Sequence, residues 1–441
     1  MVVAHGIGGA KDLPISAGYA LTGAAVALAV SFAVLTLAWR TPRFDAAHHG
    51  RRLPPVLDAV AESAALAWSL RVLGLLAAGY VGWAAVAGKD LLTNPTFGVV
   101  YVLLWVGIVP ASLVLGPFYR AVSPLRTLHL LVCRAAGGRP EDGIARLPRW
   151  VGCWPAALGL LAFVWLELAY PHATYLAPVR LWFAGYGAVV LVGAAVFGQE
   201  WFERADPFEA YSTLVGRLSV FGRTGPDGTG PLVLRTPLGN LDGVPPVPGL
   251  VAVVAVLLGS TAFDSFKDST TWLTFTQSSS ASKTWLDLAA LLVFCAVVGL
   301  SLAAATMATG VGPDVARRTL PDRFAHAVVP IVVGYVTAHY LSYFVEVGQQ
   351  TVVRLSDPVG TGADLLGTGG WTVSYWLSSH PAFLAVTKVA AVVAGHVLGV
   401  VASHDRAVAL LPRRHRVTGQ LPLLALMVLY TVTGLSLLFG A

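Results

Sequence analysis

Seven ionisable side chains stand inside long apolar runs: Arg71, Glu167, Asp287, His339, Glu346, Lys388 and His396. Charges in such places are costly, and they are normally paired or turned toward a bundle interior or a water-filled path. The clearest pattern among them is Tyr335, His339, Ser342, Glu346 and Gln349, whose steps of four, three, four and three predict one face of a helix. Such a stripe is about 20 Å long at the helical rise, enough to line a vestibule leading inward. Hydrogen bonding to neighbouring helices is the alternative use of the same residues.

The elements that must carry these residues follow from composition. The chain has 441 residues, of which 56% are hydrophobic and only 12% charged, too little polar surface to cover a water-soluble globule. Ten apolar runs of membrane-crossing length are read at 17–39, 64–86, 98–116, 151–170, 181–198, 246–263, 285–308, 325–346, 381–403 and 421–440. The expected fold is all-α, a polytopic transmembrane helical bundle of about ten helices with both termini outside. The distribution of positive charge supports that orientation, because the loops between alternate runs carry 21 arginines and the opposite segments only Lys11, Lys89, Arg180, Lys267, Lys283 and Arg354. The arginine-rich loops are therefore expected in the cytoplasm, against anionic phospholipid headgroups. The net charge of +6 is spread over short loops and forms no basic domain, so nucleic acid is not an expected partner.

Cys133, Cys153 and Cys295 lack metal or redox spacing, so neither a disulfide nor a zinc site is expected. The start of the chain lacks the basic opening and apolar core of a secretory signal. It also resembles a mature end left by signal cleavage, so the gene product could begin upstream.

Depth selects which polar residues could meet. Counted from the cytoplasmic helix ends, Glu167, His339 and Lys388 fall about 20 to 24 Å up, and Arg71 and His396 about 10 Å up. An outer-half cluster of Glu167, His339, Glu346 and Lys388 follows as an expectation. Buried Lys and Glu stabilise each other's charge, and a histidine beside them suits proton coupling or binding of a polar solute; a structural ion pair is the alternative. Haem held by His339 and His396 together is awkward at two different depths. His5, beside GIGGAKDLP, is a candidate copper ligand that lacks a second ligand.

The chain reads as three parts: five spans over 1–198, a cytoplasmic segment over 199–247, and five spans over 248–441. Five plus five spans permit an inverted repeat, although the two halves show no sequence similarity. In the middle segment Trp201, Phe208, Tyr211, Val215 and Leu218 recur at helical spacing, predicting an amphipathic helix on the membrane surface. The stretch GPLVLRTPLGNLDG then predicts a small hairpin. Two outer loops, 264–284 and 347–380, carry tryptophans suited to the interface. On the ninth span Gly395, Gly399 and Ser403 form a small-residue face for close helix packing. His404, beside Asp405 and Arg406, is expected at a solvated helix end.

The motifs AHGIGGAKDLP, DPFEAYSTLVGRLSVFGR, AHYLSYFVEVGQ, LSDPVG and AGHVLGVVASHDRA run nearly the length of the chain. With them the chain resembles a family of bacterial, largely actinobacterial, membrane proteins known as fenitrothion hydrolases. The resemblance implies a bacterial cytoplasmic membrane and hydrolysis of an organophosphate triester, which needs an activated nucleophile or a metal-activated water. No HExxH, GxSxG or two-metal carboxylate cluster is present. The residues themselves favour a transporter or permease-like component working through a polar path near the eighth and ninth spans. A metal- or haem-binding redox protein using His339, His396 or His5, and a non-catalytic subunit bound to a protein partner, stay open.

Overall fold

The computed structural model describes residues 12–225, 228–313 and 315–440, so His5 lies outside the described residues. In chain order the helices are α1 (Ala17–Ala38), α2 (Pro55–Glu62), α3 (Ala64–Ala87), α4 (Pro95–Leu104), α5 (Ile108–Leu115), α6 (Pro124–Ala135), α7 (Trp154–Leu168) and α8 (Leu176–Phe197). They continue as α9 (Glu200–Ala205), α10 (Pro207–Gly216), α11 (Leu250–Lys267), α12 (Lys283–Met307), α13 (Val329–Ser342), α14 (Gly348–Leu355), α15 (Pro381–Leu410) and α16 (Leu421–Phe439).

The protein is an all-α bundle and a multi-pass membrane protein. Among the described residues, eight helical runs are long and apolar enough to cross a bilayer: α1, α3, α8, α11, α12, the run Arg317–Leu355 that holds α13 and α14, α15 and α16. The other two predicted spans differ in form. The run at 98–116 is the pair α4 and α5, bent by 45° where Pro110 cannot donate to the turn before it. α7 has only 15 residues, with Pro155 at its start and Pro171 just past its end.

The chain forms two compact units that do not follow the expected three-part division. One comprises the residues up to His49, Thr236–Ser342 and those from Tyr375 on; the other comprises Gly50–Arg235 and Tyr343–Ser374. In the first unit, α13 and α15 pack closely, as the glycine spacing predicts. A Cβ on Gly395 would stand 2.5 Å from Pro330 O, one on Gly399 2.7 Å from Ala327 O, and one on Gly334 2.4 Å from Ala391 O.

α15 runs seven residues past the expected end at 403, and its last turns are not a solvated end. His404 and Asp405 are each only 2% exposed. Asp405 Oδ1 accepts from Trp39 Nε1 at 2.9 Å and from the Arg43 backbone N–H at 2.7 Å, and Oδ2 accepts from the Phe44 N–H at 3.3 Å. His404 spans Trp39 O at 2.9 Å and Gln420 Oε1 at 3.0 Å, and Arg406 donates to Asp242. The His-Asp-Arg triplet is thus a clamp on the chain that leaves α1.

In the second unit, the segment read as a surface helix is two short helices, broken where Asp206 caps α10 by accepting from the Phe208 and Glu209 N–H groups. Eight of the ten residues of α10 are buried, Glu209 and Ser212 among them, which leaves no polar face for water. Pro207 sits against Gly159 of α7, and Ser212 Oγ is 2.9 Å from Ser112 Oγ of α5. An apolar spacing of 3.6 marks a face that packs, and here it packs inside protein rather than on lipid. The predicted hairpin reduces to one strand, Leu232–Leu234, paired antiparallel with Phe221–Arg223 on one side and Arg51–Arg52 on the other. The rest of that stretch coils into the short helix Pro237–Leu241.

Candidate functional site

The richest polar constellation lies in the first unit, at the C-terminal turn of α11 and the facing side of α13. α11 continues one turn beyond the apolar run ending at 263, carrying Asp264, Ser265 and Lys267 on helix rather than loop. Asp264, 2% exposed, is the hub. Its Oδ2 lies 2.9 Å from His339 Nε2 and accepts the Tyr340 hydroxyl at 2.7 Å, while Oδ1 pairs with Lys267 Nζ at 2.8 Å. On the other edge of the imidazole, Ser265 Oγ lies 3.0 Å from His339 Nδ1 and accepts the Tyr335 hydroxyl at 3.0 Å.

A carboxylate has no hydrogen to give, so with the imidazole neutral its ring proton sits on Nε2 and Nδ1 presents its lone pair to Ser265; in the imidazolium both nitrogens donate. In the neutral-ring form, with Ser265 donating to Nδ1, hydrogen bonds run one way, from Tyr335 to Ser265 to His339 to Asp264. Ser265 Oγ has Thr261 O at 3.2 Å as an alternative acceptor, so its proton has two resting places. Such a chain can pass a proton to Asp264 by successive short transfers, or draw the proton off the Ser265 hydroxyl.

Of the predicted stripe, Tyr335 and His339 belong to this network. Ser342 is fully buried at the end of α13. Glu346 is buried in a π-helical stretch, Tyr343–Val347, within the second unit. The wider π turn breaks the 3.6-residue register on which the stripe was counted, and Gln349 beyond it bonds instead to Ser374. Glu167 is half-buried one residue before the end of α7, also in the second unit. Lys388 is fully buried on α15. Seven residues along from the Gly395–Pro330 contact stand Lys388 and Thr337, so Lys388 lies within one turn of the level of His339. Asp287 bonds to Trp272 Nε1 and Lys283, a fixture of the helix start rather than of this network.

Both ring nitrogens of His339 are engaged by protein side chains. His396 is different: Nδ1–H donates to Val392 O at 2.8 Å, and Nε2 has no hydrogen-bond partner among the described residues. Among those residues no group of three His, Cys, Asp or Glu side chains converges as a metal site. Sequence reasoning missed Asp264, Ser265, Lys267 and Tyr340. The available signal was an Asp and a Lys three residues apart just past an apolar run, a spacing that extends the helix by one turn. No family model, curated protein or solved structure matches the chain.

Proposed function

We propose that this chain is a permease-like protein of the bacterial cytoplasmic membrane, moving a small polar solute or ion along a path beside α13 and α15, with proton transfer through His339 and Asp264. The observation that carries the reading is the one-way hydrogen-bond chain from Tyr335 through Ser265 and His339 to Asp264, set among apolar helices. A proton arriving at Asp264 weakens its pairing with Lys267 and frees a cation at the partly exposed edge of the network. In this reading the ten helical segments place both termini outside, and the network faces the outer side with the arginine-rich loops on anionic lipid headgroups. Lys388 and Ser342 complete the path within the same unit. Proteoliposomes enclosing a pH-sensitive dye test it. The purified chain should dissipate an imposed pH gradient, and His339→Gln should slow this at least tenfold while leaving the protein folded. Equal rates in liposomes with and without protein would remove the proposal.

The contact between Ser265 and His339 favours a second reading, a serine-dependent hydrolase, in line with the resemblance to fenitrothion hydrolases. The order Ser265, His339, Asp264 is that of an activated nucleophile, a base and a group that orients the base. Ser265 Oγ would attack the phosphorus of a triester as its proton passes to His339. The aryloxide would leave carrying that proton, and water would release the phosphoryl group. A fluorophosphonate probe distinguishes the readings: labelling lost in Ser265→Ala supports the hydrolase, and absence of labelling at Ser265 rejects it.

A further inference from the structure

The second unit holds a cavity of about 690 Å³ lined by Arg71 of α3, Arg120, Arg126 and Arg134, Arg139, and Glu141. Two of the five guanidinium groups are neutralised: Arg126 grips Glu209 with two bonds of 2.6 and 2.7 Å, and Arg120 pairs with Glu203 at 2.9 Å. Among the described residues, Arg71, Arg134 and Arg139 have no carboxylate within ion-pair distance. Arg71 and Arg134 are both drawn to the ring of Trp68, with their guanidinium carbons 5.4 and 5.3 Å from its centroid. Two like charges held at one ring, with a third beside them and one glutamate in reply, make a cavity that favours an anion.

Guanidinium groups match phosphate oxygens in pairs, so a phosphate group is the anion they fit. The cavity is too large for one phosphate and suits a phosphate with a glycerol-sized substituent. Part of its lining is apolar, Phe202 and Leu130, and Leu128, Leu131 and Val132 of α6 are exposed. Arg71 lies seven residues into α3, about 10 Å from its first turn, at the end of the helix that the arginine-rich loops mark as cytoplasmic. Its side chain turns back over Trp68, three residues nearer that end, which carries the guanidinium toward the headgroup level.

We propose that this cavity is a specific binding site for the phosphate group of an anionic phospholipid, held by Arg71, Arg134 and Arg139. The proposal deepens the assignment of anionic headgroups to the inner loops, by making one cavity rather than the whole basic surface responsible. The test is retention of phosphatidylglycerol by the purified full-length chain, measured by native mass spectrometry after exchange into detergent, with phosphatidylcholine as the comparison lipid. Wild type should keep phosphatidylglycerol at least tenfold better than phosphatidylcholine. Arg71→Gln with Arg134→Gln should abolish that preference, Arg139→Gln should weaken it without perturbing the buried helices, and Arg317→Gln with Arg318→Gln, on another exposed basic turn, should leave it intact. Equal loss in the Arg71/Arg134 and Arg317/Arg318 variants would overturn the cavity while leaving general surface attraction standing. No preference in wild type would overturn both. Inorganic phosphate at millimolar concentration provides the other arm: Arg71-dependent thermal stabilisation by phosphate, without retained phosphatidylglycerol, would keep the phosphate site and overturn the lipid as its source.

Discussion

His339 Nε2 lies 2.9 Å from Asp264 Oδ2, joining the last turn of α11 to the last turn of α13 through a buried, charge-assisted hydrogen bond. Asp264 also takes the Tyr340 hydroxyl and the Lys267 ammonium, so its removal strands three donors at once. Asp264→Ala should therefore destabilise the protein by about 3–5 kcal/mol, the usual cost of breaking a buried pair from one side. Asp264→Asn keeps an acceptor for the imidazole but withdraws the charge, and should fold while losing proton flux. Thermal unfolding in detergent beside the dye assay separates these two effects. An Asn variant with wild-type flux would show that the carboxylate carries no proton.

Tyr335→Phe tests the upstream end of the chain. It removes the hydroxyl that donates to Ser265 Oγ at 3.0 Å and leaves the ring packed against Gly434, where a Cβ would come within 3.0 Å of it. Ser265 keeps its own donor, so stability should fall by only about 1 kcal/mol, the net worth of one hydrogen bond. Proton flux should drop far more than that loss of stability explains, measured in the same liposomes. If flux and stability fall together in proportion, Tyr335 is scaffolding.

The apolar runs and the packing face of α15 were legible because each depends on residues close together in the chain. Gly395 and Gly399 announce a near neighbour whichever helix supplies it. The hub was hidden for the opposite reason. Hydropathy ends α11 at Phe263, because the turn that follows, Asp-Ser-Phe-Lys, is polar whether it is loop or helix. The clamp at Asp405 was hidden because its partner Trp39 is 366 residues away, a pairing that one sequence does not encode visibly. Periodicity likewise cannot distinguish a helix face laid on lipid from one buried in protein, so the spacing around α10 fits a membrane-surface helix as well as the buried one it forms. The π turn at Tyr343–Val347 shifted the stripe beyond Ser342, and a count in steps of three and four has no way to register it.

Gly395→Ala should be costly despite adding a single methyl group. Its Cβ would meet Pro330 O at 2.5 Å, a backbone atom that moves only if α13 moves. A loss of about 1–3 kcal/mol is expected from such overpacking. Gly79→Ala on α3, where a Cβ meets nothing within 4 Å, is the matched control and should be neutral or slightly stabilising. Monodispersity and melting temperature of the two variants in detergent decide it, and equal behaviour would mean α13 and α15 pack less closely than their glycines indicate.

Asp405→Ala should release the chain that follows α1. The Trp39 indole and the Arg43 and Phe44 backbone N–H groups all lose their acceptor, each worth about 1–3 kcal/mol if left buried and unpaired, so the segment should open to water instead. Trypsin should then cut at Arg40 and Arg43 many times faster than in wild type, with other sites unchanged. Asp405→Asn, which retains one carbonyl acceptor, should fall between. Unaltered cleavage at Arg43 would show that the clamp does not hold this segment.

The loop after α14 should respond to acid. The Gly362 and Thr361 N–H groups bond to Asp357 at 2.8 and 2.9 Å and hold its carboxyl below the usual carboxylate range. The Gly369 N–H does the same for Asp364. A depressed folded value means that the carboxylate form is favoured by folding, so this contribution is fully present above the ordinary value near 4 and is lost as pH falls through the lower folded value. Hydrogen exchange at Thr361, Gly362 and Gly369 should therefore show constant protection from pH 8 to about 5, after correction for intrinsic rates, and loss of protection below about 4. Asp357→Asn should remove the pH dependence at Thr361 and Gly362 and leave that at Gly369 in place. Protection at all three amides that persists to the acid limit would show that the backbone, and not the two carboxylates, orders this loop.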